Sequence, residues 1–153
     1  MIEESQELGR LLRRAGRSAA RAYRDRIADL QLGPRQAAAI LVLVETPGLS
    51  LGALAEVIGA DQPTASSLID RLLAAGLVLR ETDPADRRRA RLEPTDRARL
   101  LAKRIAAARR DTEALMRNAM GPSDSIELER ILTRLTERLD DMGVPGRRRE
   151  RRA

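Results

Sequence analysis

The chain contains no cysteine and no histidine. Their absence removes disulfide staples, thiol redox switches, Cys/His zinc sites and every nucleophile or general base built on those side chains. Aromatic residues are nearly missing too, with one tyrosine, Tyr23, and no phenylalanine or tryptophan. No run approaches the roughly 18 consecutive apolar residues of a membrane span, and Ile2, Glu3 and Glu4 do not form the basic-then-apolar start of a secretory leader. A cytoplasmic protein with no membrane partner is expected.

What is present is 153 residues, the size of one ordinary domain, of which 42% are hydrophobic and 34% charged. That is enough apolar material for a core. Of 29 basic residues all but Lys103 are arginine, and against 23 acids they leave a net charge of +6. Residues 142–153 hold Arg147, Arg148, Arg149, Arg151 and Arg152 against Glu150 alone, so most of the excess sits in that tail. A localised basic patch is what polyanion binding requires.

Leu8, Leu11, Leu12, Ala15, Ala19, Ala22, Tyr23, Ile27 and Leu30 recur at three-and-four spacings, which predicts an amphipathic helix from Glu3 to about Leu30. Its other side holds Arg10, Arg13, Arg14, Arg17, Arg21 and Arg24, the pattern of a solvated face. Gly33 breaks the pattern, and Pro34 suits the first turn of a second helix, where its missing N–H had no intrahelical partner. The apolar run 37–44 fits a buried strand or a buried helix; Pro34 before it and Pro47-Gly48 about three turns later favour helix. Ser50 is an N-cap for a short helix through Leu54, Ala55 and Val57, which Gly59 ends. Asp61 caps the next, Gln62 to about Ala75, with Ala65, Leu68, Ile69 and Leu72 inward and Gly76 at its left-handed end. Two short helices joined by Gly-Ala-Asp make a helix-turn-helix, whose second helix enters the DNA major groove in known cases.

Leu77 to Glu81 reads as a strand, Asp83-Pro84-Ala85-Asp86 as a turn, and Arg89 to Glu93 as a returning strand. A hairpin directly after a helix-turn-helix is a wing, and its tip carries Arg87, Arg88 and Arg89 with Arg91 close behind. A long helix follows from near Thr95, with Leu100, Leu101, Ile105, Ala108, Thr112, Leu115, Met116 and Ala119 expected to be buried, and Gly121-Pro122 ends it. A last helix from about Ser123 to Asp141 has its stripe at Ile126, Ile131, Leu132, Leu135 and Leu139. The tail after Gly143-Val144-Pro145-Gly146 is expected to be disordered. The fold class is therefore mainly α with a small β-hairpin wing, a winged helix-turn-helix flanked by long helices. Expected divisions are an N-terminal dimerisation helix over 1–31, a DNA-binding lobe over 32–94, C-terminal dimerisation helices over 95–141 and a basic tail over 142–153.

From Leu32 to about Arg99 the chain resembles the MarR family of winged helix-turn-helix transcription regulators. LGPRQ resembles the start of that family's second helix, and LSLGALAEVIGADQPTASSLIDRLLAAGLVLRETDPADRRRARLEPT its helix-turn-helix, recognition helix and wing. Asp86 and Arg88 fall on the family's wing D-x-R signature, and Leu72, Gly76 and Leu77 on its L-x-x-x-G-L-[VI] ending. Two positions depart from the pattern. Gly33 stands where the family has a Thr or Ser cap, which weakens that cap by about a few tenths of a kcal/mol. Pro94 stands where it has Leu, which is expected to reshape the base of the wing. The resemblance implies a transcription regulator, taken here as a repressor, whose Asp86 and Arg88 brace the wing. It also implies a small-molecule effector held between the dimer helices and the DNA-binding lobe, a site that only Tyr23 can line with a ring.

The core of about 60 residues cannot cover the apolar stripes of three long helices, one of which alone extends roughly 35 Å. Leu8, Leu11, Leu12, Leu115, Ile131, Leu135 and Leu139 are thus expected in the interface of a two-fold homodimer. Such a dimer sets two recognition helices about one DNA turn apart, so the partner is double-stranded DNA carrying a pseudo-palindrome. On the recognition helix, Gln62, Pro63, Thr64, Ser66, Ser67 and Arg71 are not needed for the core. Gln pairs with adenine, Thr and Ser read either base or touch a thymine methyl, and Arg71, further along, reaches a phosphate. On the wing, Arg87 and Arg89 suit a narrow minor groove, with Arg88 and Arg91 as further DNA contacts. The alternative is a winged-helix module for protein or RNA without operator-specific DNA binding. No cofactor or metal is expected and the protein is not read as an enzyme, because Asp83 and Asp86 lie in a turn beside three arginines with no Gly-rich phosphate loop or metal-ligand set.

Overall fold

A computed structural model describes residues 2–84, 86 and 90–142. Its elements are α1 (Ile2–Arg26), a 3-10 turn (Ala28–Leu30), α2 (Pro34–Glu45), α3 (Leu51–Ile58), α4 (Gln62–Ala74), β1 (Val78–Thr82), β2 (Ala90–Pro94), α5 (Asp96–Met120) and α6 (Pro122–Asp141). The mainly helical, hairpin-bearing fold class follows directly. Arg87, Arg88, Arg89 and the tail from Gly143 lie outside the described residues. The chain divides into two compact units, Met1–Thr112 and Glu113–Ala153.

In the first unit, aliphatic residues of α2 to α5 and the hairpin close one core with Ile27, just after α1: Ile27, Ile40, Leu43, Leu54, Ile69, Leu72, Leu77, Val78, Leu92 and Ile105 are all fully buried. The run 37–44 is helical, as Pro34 at its first turn favours. Gly33 offers no side chain as a cap, but its own N–H donates to Gln36 Oε1 at 2.8 Å, so half of a capping arrangement survives. The hairpin pairs antiparallel from Val78↔Pro94 to Thr82↔Ala90. A third short segment joins it, since Leu92 N–H donates to Leu49 O at 2.9 Å and Gly48 N–H to Leu92 O at 3.0 Å.

Three expectations are corrected. Pro94 does not reshape the wing base: it is buried at the last position of an unbroken register. α1 ends at Arg26 and passes into the 3-10 turn instead of continuing to Leu30. On α5, Leu100, Leu115 and Ala119 are exposed, and the buried line is Ala98, Ala102, Ile105, Ala108 and Thr112. Alanines make that line because a face without bulk lets the helix axis approach the core closely, which apolar spacing alone does not reveal. The Thr112 hydroxyl is satisfied there by donating to Ala108 O at 2.8 Å.

In the second unit, Arg117 of α5 pairs with Glu113 at 2.9 Å and with Glu129 of α6. Gly121 makes the turn between the helices with φ of 83°, and the buried Ser125 hydroxyl donates to Pro122 O at 3.0 Å. Ile126, Leu128, Ile131, Leu132 and Leu139 are exposed along α6 and Leu135 is half-buried. Among the described residues no helix is long and apolar enough to cross a membrane.

Candidate nucleic-acid interface

The helix-turn-helix is built from local signals. Ser50 Oγ accepts the Ala53 N–H at 3.2 Å and starts α3, and Gly59, with φ of 67°, ends it in the left-handed conformation that glycine tolerates. Asp61 Oδ1 then accepts the Thr64 N–H at 2.8 Å and starts α4. With Asp61 as the cap acceptor, that N–H needs nothing from Thr64's own side chain. Ala65, Leu68, Ile69 and Leu72 sink into the core and set which face of α4 turns outward. Gln62, Pro63, Ser67 and Arg71 are exposed on that face, and Thr64 and Ser66 are half-buried beside it. Gln62 also approaches α3, where a Cβ on Gly52 would stand 3.3 Å from its Nε2. Asp70, not among the expected contacts, is exposed on the same face. Neutral donors and acceptors at the amino end, with one acid and one arginine further along, suit reading base edges more than attracting phosphate.

The carboxyl end of α4 is tied to the start of α5. Thr95 Oγ1 donates to Gly76 O at 3.0 Å while accepting the Ala98 N–H at 3.2 Å, so one hydroxyl caps α5 and holds the end of the recognition helix. Arg97 donates to Ala75 O at 3.1 Å. Sequence reading missed both as positioning residues. A Thr ahead of a helix signals a cap, but its partner 19 residues earlier is visible only in three dimensions.

On the wing, Asp86 is half-buried. Arg91, expected to face DNA, is half-buried and donates from Nε to Gly48 O at 3.2 Å. Tyr23 is also half-buried and packs on the core; burial pushes its phenol above the usual range, and Arg109 pulls the other way. The expected dimer residues Leu8, Leu11, Leu12 and Leu115 are exposed in the single chain, Leu8 by 64%. An open hollow along α1 is lined by Arg14, Arg17, Ser18, Arg21, Ala22 and Asp25. Among the described residues no group of His, Cys, Asp and Glu could hold a metal ion.

Residues 30–89, the lobe just described, match the model of the MarR family. Solved structures agree over most of the chain. The transcriptional repressor CouR, bound to a 23-mer DNA duplex, is 28% identical with a TM-score of 0.74, covering 88% of this chain and 95% of that one. BpsR of Bordetella bronchiseptica, whose DNA binding is regulated by 6-hydroxynicotinic acid, is 25% identical with a TM-score of 0.75, covering 86% and 94%. The PcaV transcriptional regulator of Streptomyces coelicolor is 22% identical and shares the fold with a TM-score of 0.79, covering 87% and 97%. The chain thus matches the MarR family's model over its helix-turn-helix and most of its wing, and around them it shares the fold of the transcriptional repressor CouR and of BpsR.

Proposed function

We propose that the protein binds a pseudo-palindromic operator as a two-fold homodimer and represses transcription from it until a small molecule releases it. The observation that carries this reading is the face of α4, where four aliphatic side chains are buried and Gln62, Pro63, Thr64, Ser66 and Ser67 are left at the amino end. Gln62 and Thr64 are the base readers, Arg71 a phosphate contact, and Arg87, Arg88 and Arg89 the wing's contacts with the backbone and minor groove. The exposed Leu8, Leu11 and Leu12 of α1, and separately Ile131 and Leu139 of α6, supply apolar surface that a partner copy would cover. α1 serves the dimer, α2 to β2 the DNA, and α5 and α6 the dimer again. CouR's duplex and BpsR's ligand are the precedents for an operator and an effector, with Tyr23 the ring available to the latter.

The test is selection of duplexes from a randomised library by the full chain, followed by competition with scrambled DNA and with duplex RNA. An enriched inverted repeat, retained against both competitors, is expected. Equal binding to all three would leave only a protein- or RNA-interaction module.

A further inference from the structure

We infer that Arg91 is a latch that sets the pose of the wing by closing over Gly48, and that it is not itself a contact with DNA. The consequence for binding rests on the operator reading above; the latch itself does not. Two features meet at this point. Gly48, in the turn between α2 and α3, has φ of +81°, a conformation that L side chains rarely adopt. Arg91, on the inner strand of the wing 43 residues later, lies across it and donates from Nε to its carbonyl at 3.2 Å. A Cβ at position 48 would stand 2.7 Å from both Cζ and Nε of that guanidinium, so a side chain there would push the guanidinium off its seat.

The contact joins two parts of the lobe that nothing in sequence order brings together. Gly48 N–H donates to Leu92 O and Leu92 N–H to Leu49 O, so the guanidinium clasps the seam where the wing's inner strand meets the 47–49 turn. Glu81 stands opposite Arg91 in the hairpin register, yet among the described residues Arg91 forms no ion pair with it. The arginine turns to a backbone carbonyl in preference to the cross-strand carboxylate beside it. A planar guanidinium can lie flat over a glycine and donate sideways, and an ammonium cannot. Since β2 carries this seam, the seam decides how the hairpin lies against the rest of the lobe.

Arg91→Lys separates the two roles, because lysine keeps the charge a phosphate needs and loses the planar seating. The probe is a duplex that the wild-type protein has itself selected from a randomised library. Arg91→Lys and Arg91→Ala should both weaken its binding by roughly tenfold, the scale expected when correctly placed arginine contacts are lost. Gly48→Ala should do the same with Arg91 intact, and the double variant Gly48→Ala, Arg91→Ala should bind no worse than the weaker single, since both remove one contact. In the protein without DNA, the Leu92 and Gly48 amides should exchange hydrogen faster in each variant than in wild type, while the amides of α4 keep their protection.

Wild-type affinity in Arg91→Lys, or additive losses in the double variant, would overturn the latch and make Arg91 a direct contact. Unchanged exchange at Leu92 would overturn it as well. If Gly48→Ala fails to fold, the Lys and Ala variants of Arg91 still decide. If the wild type selects no sequence, the operator reading falls, and the exchange measurement alone tests the latch.

Discussion

Residues 36–70 and residues 8–24 belong to the same compact unit and are opposites in charge. The first stretch, which holds most of α2, all of α3 and the amino-terminal two-thirds or so of α4, has no lysine or arginine in 35 residues and four acids, Glu45, Glu56, Asp61 and Asp70. The second, on α1, has six arginines and no acid. They differ in apolar residues too: Ile40, Leu43, Leu54 and Ile69 of the first are fully buried, whereas Leu8, Leu11 and Leu12 of the second are exposed. With Arg71 as its one cation, the helix-turn-helix has little charge with which to draw DNA in. Under the proposed function it mainly discriminates once the duplex is held, and most of the holding is assigned to arginines elsewhere, first of all those of the wing. Separation of reading from grip is the lesson of the contrast.

The largest expected effect comes from removing the partner copy. Leu115→Glu with Leu135→Glu should yield a folded monomer, because Leu115 is exposed and Leu135 only half-buried in the single chain. With one recognition helix instead of two, operator affinity should fall on the order of 100-fold or more, measured beside sedimentation velocity. A stable wild-type monomer at micromolar concentration would remove the dimer from the scheme. Next comes the reading face. Gln62→Ala or Thr64→Ala should cost about 1–3 kcal/mol on the selected operator and relax preference at one or two base pairs. Random duplex should bind these variants as it binds wild type.

The smallest effect sharpens the contrast from the arginine side. Within the arc of α1, Arg10 and Arg14, Arg13 and Arg17, and Arg17 and Arg21 are four residues apart, and like charges at that spacing repel by about a few tenths of a kcal/mol a pair. Arg17→Gln should therefore raise the melting temperature slightly at low salt, and less in high salt. A lower melting temperature would mean that Arg17 serves a contact and not a solvated face.

Much of the lobe was legible because its signals are local. Ser50, Gly59, Asp61 and Gly76 each act on the next few residues, and each stands where sequence placed it. The α5 stripe was half legible: Ile105, Ala108 and Thr112 are buried, but small alanines displaced Leu100 and Leu115 from the core because shape, not hydropathy, decides close helix packing. Of the candidate interface, α4 is laid out with the expected residues at its amino end. The Arg91–Gly48 clasp and the hold of Thr95 on Gly76 were not legible, since each joins residues far apart in sequence through a carbonyl that any residue possesses.

The separation of reading from grip is tested most directly by salt titration of Gln62→Ala and Arg89→Ala against wild type, on selected and scrambled duplexes. Gln62→Ala should keep the wild-type slope of log K against log salt and lose discrimination between the two. Arg89→Ala should keep discrimination and lose slope, by roughly 1.8 for a dimer that gives up two phosphate contacts at about 0.9 each. A changed slope in Gln62→Ala, or an unchanged one in Arg89→Ala, would contradict the division of labour between the neutral amino end of α4 and the arginines beyond it.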